Sequence, residues 1–196
     1  MSLSALCTTA LPYVLAAYRD TERIRDLDND FDASTPCTVA RRASIAQGRA
    51  LLSIWDRSFR AQYKSSSRQS DTDPAIEAFQ AFQLELRNPN NELPANAHLA
   101  PLWGLLTRIL QLPLEDSAYL FVFSHARTLT SAAVRASVFG PYQAQAVLAS
   151  GELQKKIRRL MQENWERSVE EAGQTVPVMD LWVGRHEMLY SRIFNS

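Results

Sequence analysis

Only six glycines, two cysteines and three histidines occur among 196 residues, and Lys plus Arg balance Asp plus Glu at 21 each. Each scarcity excludes something. With so little glycine, the tight turns of a hairpin-rich β fold are hard to place. Cys7 and Cys37 form no CxxC pair and are too sparse for a disulfide framework, so a reducing, cytoplasmic setting is the simpler reading. Zero net charge at a pI of about 6.8 supplies no field to draw nucleic acid or an anionic membrane. No apolar run approaches the ~20 residues that a bilayer demands. Residues 3–17 are apolar, but Pro12 interrupts them and Arg19, Asp20, Glu22 and Arg23 follow, so a signal peptide is not expected there.

Hydrophobic residues make up 46% of the chain, enough for a real core. Their spacing is helical, and alternating runs are missing. The predicted fold is all-α, a single-domain bundle of six to eight helices. A first helix over about 3–18 bends or restarts at Pro12. Residues 20–34, rich in Asp26, Asp28, Asp30 and Asp32, read as an acidic loop. Ser34 or Thr35 caps a helix reaching about 62, with Ile45, Leu52, Trp55 and Phe59 near one face. On that helix Ala43, Ala46 and Ala50 offer a small-residue face for close approach. Residues 64–72 and 88–96 read as linkers. Asp73-Pro74 opens the next helix, and another spans about 98–111. Asp116 or Ser117 then caps a long apolar helix ending at Gly140-Pro141, which is expected at the centre of the fold. Helices over 142–149 and 152–172 follow. The latter carries Arg159, Glu163, Arg167 and Glu171 as an ion-pair ladder, and a final helix begins near Pro177.

Chemistry-bearing constellations are few. His98, His125 and His186 have no metal-ligand spacing, and their plain reading is as satisfied structural histidines. Ser124 and His125 are adjacent on a helix, so they do not face each other as a nucleophile–base pair. Neither a phosphate-cradling glycine loop nor GxSxG is present. The chain therefore reads as a non-enzyme. Two basic clusters, Arg41-Arg42 and Lys155-Lys156 with Arg158-Arg159, suit either a solvated face or a surface for an acidic partner. The last residues are the most distinctive. Met179, Trp182, His186, Leu189 and Ile193 recur at helical spacing, with Tyr190, Phe194, Arg185 and Arg192 among them. So wide an apolar face needs a core or a partner, and Arg and Tyr are common interface anchors.

At this terminus, from Gly184-Arg185-His186-Glu187 to Ser191-Arg192-Ile193-Phe194-Asn195-Ser196, the chain resembles the urease accessory protein UreF family, its fungal or plant-like branch best. Two more segments agree. Phe123-Ser124-His125-Ala126-Arg127 with Ser131 to Arg135 and Gly140 to Gln145 is similar to the family's middle helix and turn. Arg41-Arg42-Ala43-Ser44 with Gln47 to Leu52 is similar to an earlier helix. The resemblance implies a helical homodimer with no catalysis of its own. Such a protein joins a UreD/UreH-type partner and a UreG-type GTPase to deliver nickel to the urease apoprotein, without holding the metal itself. It also implies that Arg185, His186, Glu187, Tyr190, Ser191, Arg192 and Phe194 pack on the UreD/UreH-type partner. Family members begin with a Gly-Leu-Glu signature that this chain, opening Met1-Ser2-Leu3-Ser4, lacks, so an N-terminally shortened form is expected. The competing reading is a generic helical adaptor unrelated to urease.

Overall fold

A computed structural model of the chain describes residues 2–61, 73–88 and 95–174, together with Arg185 and Met188. The described residues are helical and contain no strand. In chain order the helices are α1 (Leu3–Thr9), α2 (Leu11–Arg19), a single 3₁₀ turn (Thr21–Arg23), α3 (Ile24–Ala33), α4 (Thr38–Ile54), α5 (Pro74–Arg87), α6 (Leu99–Ile109), α7 (Leu114–Arg135), α8 (Pro141–Ala149) and α9 (Gly151–Glu163). With the broken α1–α2 counted as one, the described residues form eight helices, as an all-α bundle requires. The break falls at Ala10, and Pro12 sits in the first turn of α2, where its missing N–H costs nothing.

The centre is formed by α2 and α6. Helix α6 carries only Arg108 as a charge and buries Ala100, Leu102, Gly104, Leu105, Leu106 and Ile109. Leu102 and Leu105 are wholly buried, each a gain of about 2 kcal/mol. Helix α2 buries Leu11, Tyr13, Val14, Leu15 and Ala17. Gly104 lets the two backbones meet: a Cβ there would lie 2.2 Å from the Val14 carbonyl oxygen. Helix α7, expected at the centre, buries only Ser117, Ala118, Phe121, Val122 and Ala126. From Arg127 onward it projects past the layer beneath and is exposed or half-buried. Its length and apolar content concealed the more telling feature of α6, which is near-absence of charge.

Four further expectations are corrected. Residues 20–34 are not a loop. Ile24, Leu27 and Phe31 recur at i, i+3, i+7 and are buried along α3, while Asp26 and Asp30 face water. Ser34 and Thr35 close α3 by donating to the Phe31 carbonyl, and α4 is capped by the Cys37 sulfur, which accepts from the Ala40 N–H at 3.4 Å. Helix α7 starts directly after Pro113, so Asp116 and Ser117 are not caps. Ser117 is buried and shares a 2.6 Å hydrogen bond with Thr107. The ladder shrinks to one rung, Arg159–Glu163 at 3.0 Å, because α9 ends at Glu163. Arg167 turns back to Asn164 Oδ1 at 2.8 Å and the Glu171 carbonyl at 3.2 Å. The expected linker at 64–72, most of that at 88–96 and the final helix from Pro177 lie outside the described residues.

Both cysteines are buried free thiols. Burial, aided by the Glu163 charge, pushes the Cys7 thiol up to about 12, so it stays protonated. Among the described residues no helix is long and apolar enough to cross a membrane.

Candidate partner interface and its internal support

The expected interface is the C-terminal tail, and the structure describes only its root and two of its residues. After α9, turns over 164–172 fold back on the first helices. Arg19 donates to the Trp165 carbonyl at 3.1 Å, lies over the Trp165 ring at 5.7 Å and pairs with Glu166 at 3.7 Å. Gly173 N–H donates to the Thr8 carbonyl at 3.0 Å, and Val169 and Ala172 pack on the core. The root is thus pinned to α1 and α2. Beside it opens a cleft of about 380 Å³ lined by Tyr13, Asp30, Ala33, Ser34, Val169 and Glu170. Burial and the charges of Asp30 and Glu170 raise the Tyr13 phenol above its usual value, and its hydroxyl donates to Ser34 Oγ at 3.3 Å.

Farther on, Arg185 is exposed and Met188 is 81% exposed, and the Met188 N–H donates to the Arg185 carbonyl at 3.0 Å in a turn. His186, Glu187, Tyr190, Ser191, Arg192 and Phe194 lie outside the described residues, so the structure does not bring the seven expected site residues together.

What it does bring together is a polar brace that sequence reasoning did not find. The Asp28 carboxylate, 1% exposed, accepts three backbone N–H bonds, from Asn96 at 2.7 Å, Ala97 at 3.1 Å and His98 at 2.6 Å. These clamp the segment entering α6, where Ala97 is held at φ 65°, a left-handed conformation unfavourable for alanine. The His98 ring, fully buried, meets Ser44 Oγ at 3.0 Å through Nδ1 and Asp32 Oδ1 at 2.8 Å through Nε2. Asp32 is also gripped by the Arg41 guanidinium through two hydrogen bonds. Ser44 Oγ additionally accepts from the Leu99 N–H at 3.3 Å. At Gly48 a Cβ would stand 1.9 Å from the Ala97 carbonyl oxygen, so only glycine lets α4 lie on this segment.

Ser44, His98 and Asp32 line up in the order of a catalytic triad. Their ring is sealed from solvent, and Ser44 Oγ is occupied by the Leu99 N–H, so the arrangement fastens α3, α4 and α6 together. Of the expected basic surface, Arg41 is therefore committed to the brace. The small-residue face is also reassigned: Ala46 and Ala50 are exposed, and the close approach occurs at Gly48. No local signal points to it, because Asp28 meets Asn96 and His98 across 68 and 70 positions of the chain.

The brace has a pH signature. Burial alone would raise the Asp32 carboxyl, but hydrogen bonds from Arg41 and His98, and their charges, outweigh it and hold it below the usual carboxylate range. A carboxyl lowered by folding stabilises the native state above its unfolded value, about pH 4, and that stabilisation is lost as pH falls through the lower folded value. Asp32→Asn should therefore be less stable than the parent chain at pH 7, with the gap narrowing steadily below about pH 4. Urea unfolding across a pH series measures it. A gap independent of pH would show that Asp32 contributes by shape alone.

Comparison with known proteins decides the family. The family model described as UreF matches residues 2–152. The chain belongs to the UreF family. A UreF-like urease accessory protein of Schizosaccharomyces pombe is 33% identical over 196 residues, covering all of this chain and 79% of that protein. Urease accessory protein 6 of Cryptococcus neoformans is 27% identical, covering 91% of this chain and 65% of its own. Urease accessory protein F of Arabidopsis thaliana is 29% identical, covering 95% and 70%. These UreF relatives are accessory proteins by name. The UreF-like segment at Arg41 to Leu52 now has a physical meaning, since Arg41, Ser44 and Gly48 are the residues that join α4 to the brace. In the other segment Gly140 N–H donates to Gln143 Oε1 at 3.0 Å, starting α8 and leaving Tyr142 90% exposed. Among the described residues no group of three His, Cys, Asp or Glu side chains is placed to hold a metal ion.

Proposed function

We propose that this chain is a non-catalytic scaffold in urease maturation. It works in the cytoplasm with a UreD/UreH-type partner and a UreG-type GTPase, and as a homodimer, to deliver nickel to the urease apoprotein. The observation that carries the reading is the UreF match over residues 2–152, extended by a fungal relative aligned along the whole chain. Nickel is cargo of the assembly, and no residue of this chain is assigned as its ligand.

The tail supplies the grip. Arg185, His186, Glu187, Tyr190, Ser191, Arg192 and Phe194 are assigned to the UreD/UreH-type partner. Support comes from the composition of that segment, aromatic and cationic to its end, and from the exposure of Arg185 and Met188. The root is pinned to the core at Gly173, upstream of the assigned residues, so removing 185–196 spares that anchor. The test is co-purification: the full chain should retain the UreD/UreH-type protein, and the chain ending at Gly184 should lose it at an unchanged melting temperature. Undiminished co-purification of the shortened chain would remove the tail assignment.

A further inference from the structure

Helix α4 does not end as an α-helix. Residues Trp55–Phe59 form one π-turn, in which the Arg60 N–H reaches the Trp55 carbonyl. A π-turn inserts one extra residue and rotates the positions beyond it by about 100°. The consequence falls on Phe59. Positions 48, 52, 55 and 59 are spaced i, i+4, i+7, i+11, so an uninterrupted helix would point Phe59 to the core with Gly48, Leu52 and Trp55. Trp55 is 6% exposed and stacks edge-on against Phe79 at 5.5 Å, whereas Phe59 is 40% exposed. Ile54, one residue before the π-turn, is 49% exposed. The fold thus turns a phenylalanine outward that sequence periodicity assigns inward.

The surface it joins is cationic. Between 41 and 60 there are five arginines, Arg41, Arg42, Arg49, Arg57 and Arg60, against one carboxylate, Asp56, in a chain whose formal net charge is zero. Arg41 is engaged by Asp32 and Arg60 by Asp56 at 3.6 Å. Arg49 and Arg57 are exposed, and so are Ala46 and Ala50 on the side of α4 away from Gly48. Small residues there leave room for a second helix at the usual 8–10 Å spacing.

We propose that this face of α4 and its π-turn docks an acidic helix of a partner protein, with apolar side chains seated on Ile54 and Phe59 and carboxylates meeting Arg49 and Arg57. Charge complementarity selects the partner. A second copy of the same face would set guanidinium against guanidinium, and a polynucleotide would want more aromatic platforms than Phe59 alone. The site shares no residue with the 185–196 tail, so it stands or falls without the tail assignment.

The test uses the full chain and a labelled synthetic helix bearing a leucine stripe flanked by glutamates, read by fluorescence anisotropy. Saturable binding is expected, weakened about tenfold or more by the double variant Arg49→Glu, Arg57→Glu and likewise by Phe59→Ser. All three positions are exposed, so thermal melting should stay within a few degrees of the parent and certifies the fold. The same helix with lysines for glutamates should not bind. Absence of saturable binding, indifference to the charge reversal, equal binding of the lysine helix, or equal binding of a single-stranded oligonucleotide each overturns the proposal.

Discussion

Asp28→Ala should yield almost no folded protein. The carboxylate is buried and accepts from three consecutive N–H groups, Asn96, Ala97 and His98, none of which has helix or sheet to supply another acceptor. Alanine leaves three donors unmet, those of Ala97 and His98 buried and that of Asn96 half-buried. Each costs about 1–3 kcal/mol, so the loss is about 3–9 kcal/mol, comparable with the total stability of an ordinary domain. The damage spreads. Without the clamp Ala97 has no reason to hold φ 65°, and the His98 ring leaves its place between Ser44 and Asp32. Asp28→Asn keeps one oxygen as an acceptor but turns an NH₂ toward the remaining donors, so it should lose roughly half as much. Asp26, on the same helix but exposed, is the control, and its alanine variant should stay within about 0.5 kcal/mol of the parent. Urea midpoints and soluble yield measure all three. An Asp28→Ala chain less than about 1 kcal/mol below the parent would show that water replaces the carboxylate easily and that the brace is ornamental.

Gly104→Ala should destabilise the chain by about 2–4 kcal/mol, although alanine is the better helix former by about 1 kcal/mol. Space decides the sign. The new Cβ would sit 2.2 Å from the Val14 carbonyl oxygen and 3.1 Å from both Ala17 Cβ and the Tyr18 nitrogen. The nearest obstacle is backbone, so no side chain can swing aside, and α2 and α6 must part at the centre of the core. Tyr18, whose hydroxyl donates to the Leu112 carbonyl, would be pulled from its bond as α2 shifts. Gly151→Ala is the counter-case. It opens α9 with nothing within 4 Å of the added carbon, and should be neutral or slightly stabilising. Thermal melts of the two variants separate crowding from helix propensity. A neutral Gly104→Ala would mean that the α2–α6 approach is looser than the structure shows.

The same residues show where sequence reading succeeds and where it stops. Helix type was legible from apolar spacing, and the capping of α5 by Asp73 with Pro74 behind it was readable because a cap is local: the Asp73 carboxylate accepts the Ala75 N–H at 3.0 Å. The acidic composition of 20–34 hides the stripe Ile24, Leu27, Phe31, because runs of aspartate are as common in loops as on a solvated helix face. Asp28 was illegible for a different reason. Its partners lie 68 to 70 positions away, and nothing in local spacing announces a loop that needs a carboxylate. Phe59 was misplaced by one residue of phase, since periodicity carries no sign of a π-turn. The family was legible from three ordered segments, yet two of the residues that matter in the first, Ser44 and Gly48, are there for the brace. The seven tail residues rest on the sequence, as all but Arg185 lie outside the described residues.

Urease activity at limiting nickel, in a strain deleted for its own UreF-type factor, tests the central claim most directly. The full chain should restore activity, and an equally abundant, folded chain lacking 185–196 should not. Full restoration by the shortened chain would contradict the tail as the point of engagement. No restoration by an abundant, folded full chain, supplied with the UreD/UreH-type and UreG-type proteins of its own source, would contradict a role in urease maturation.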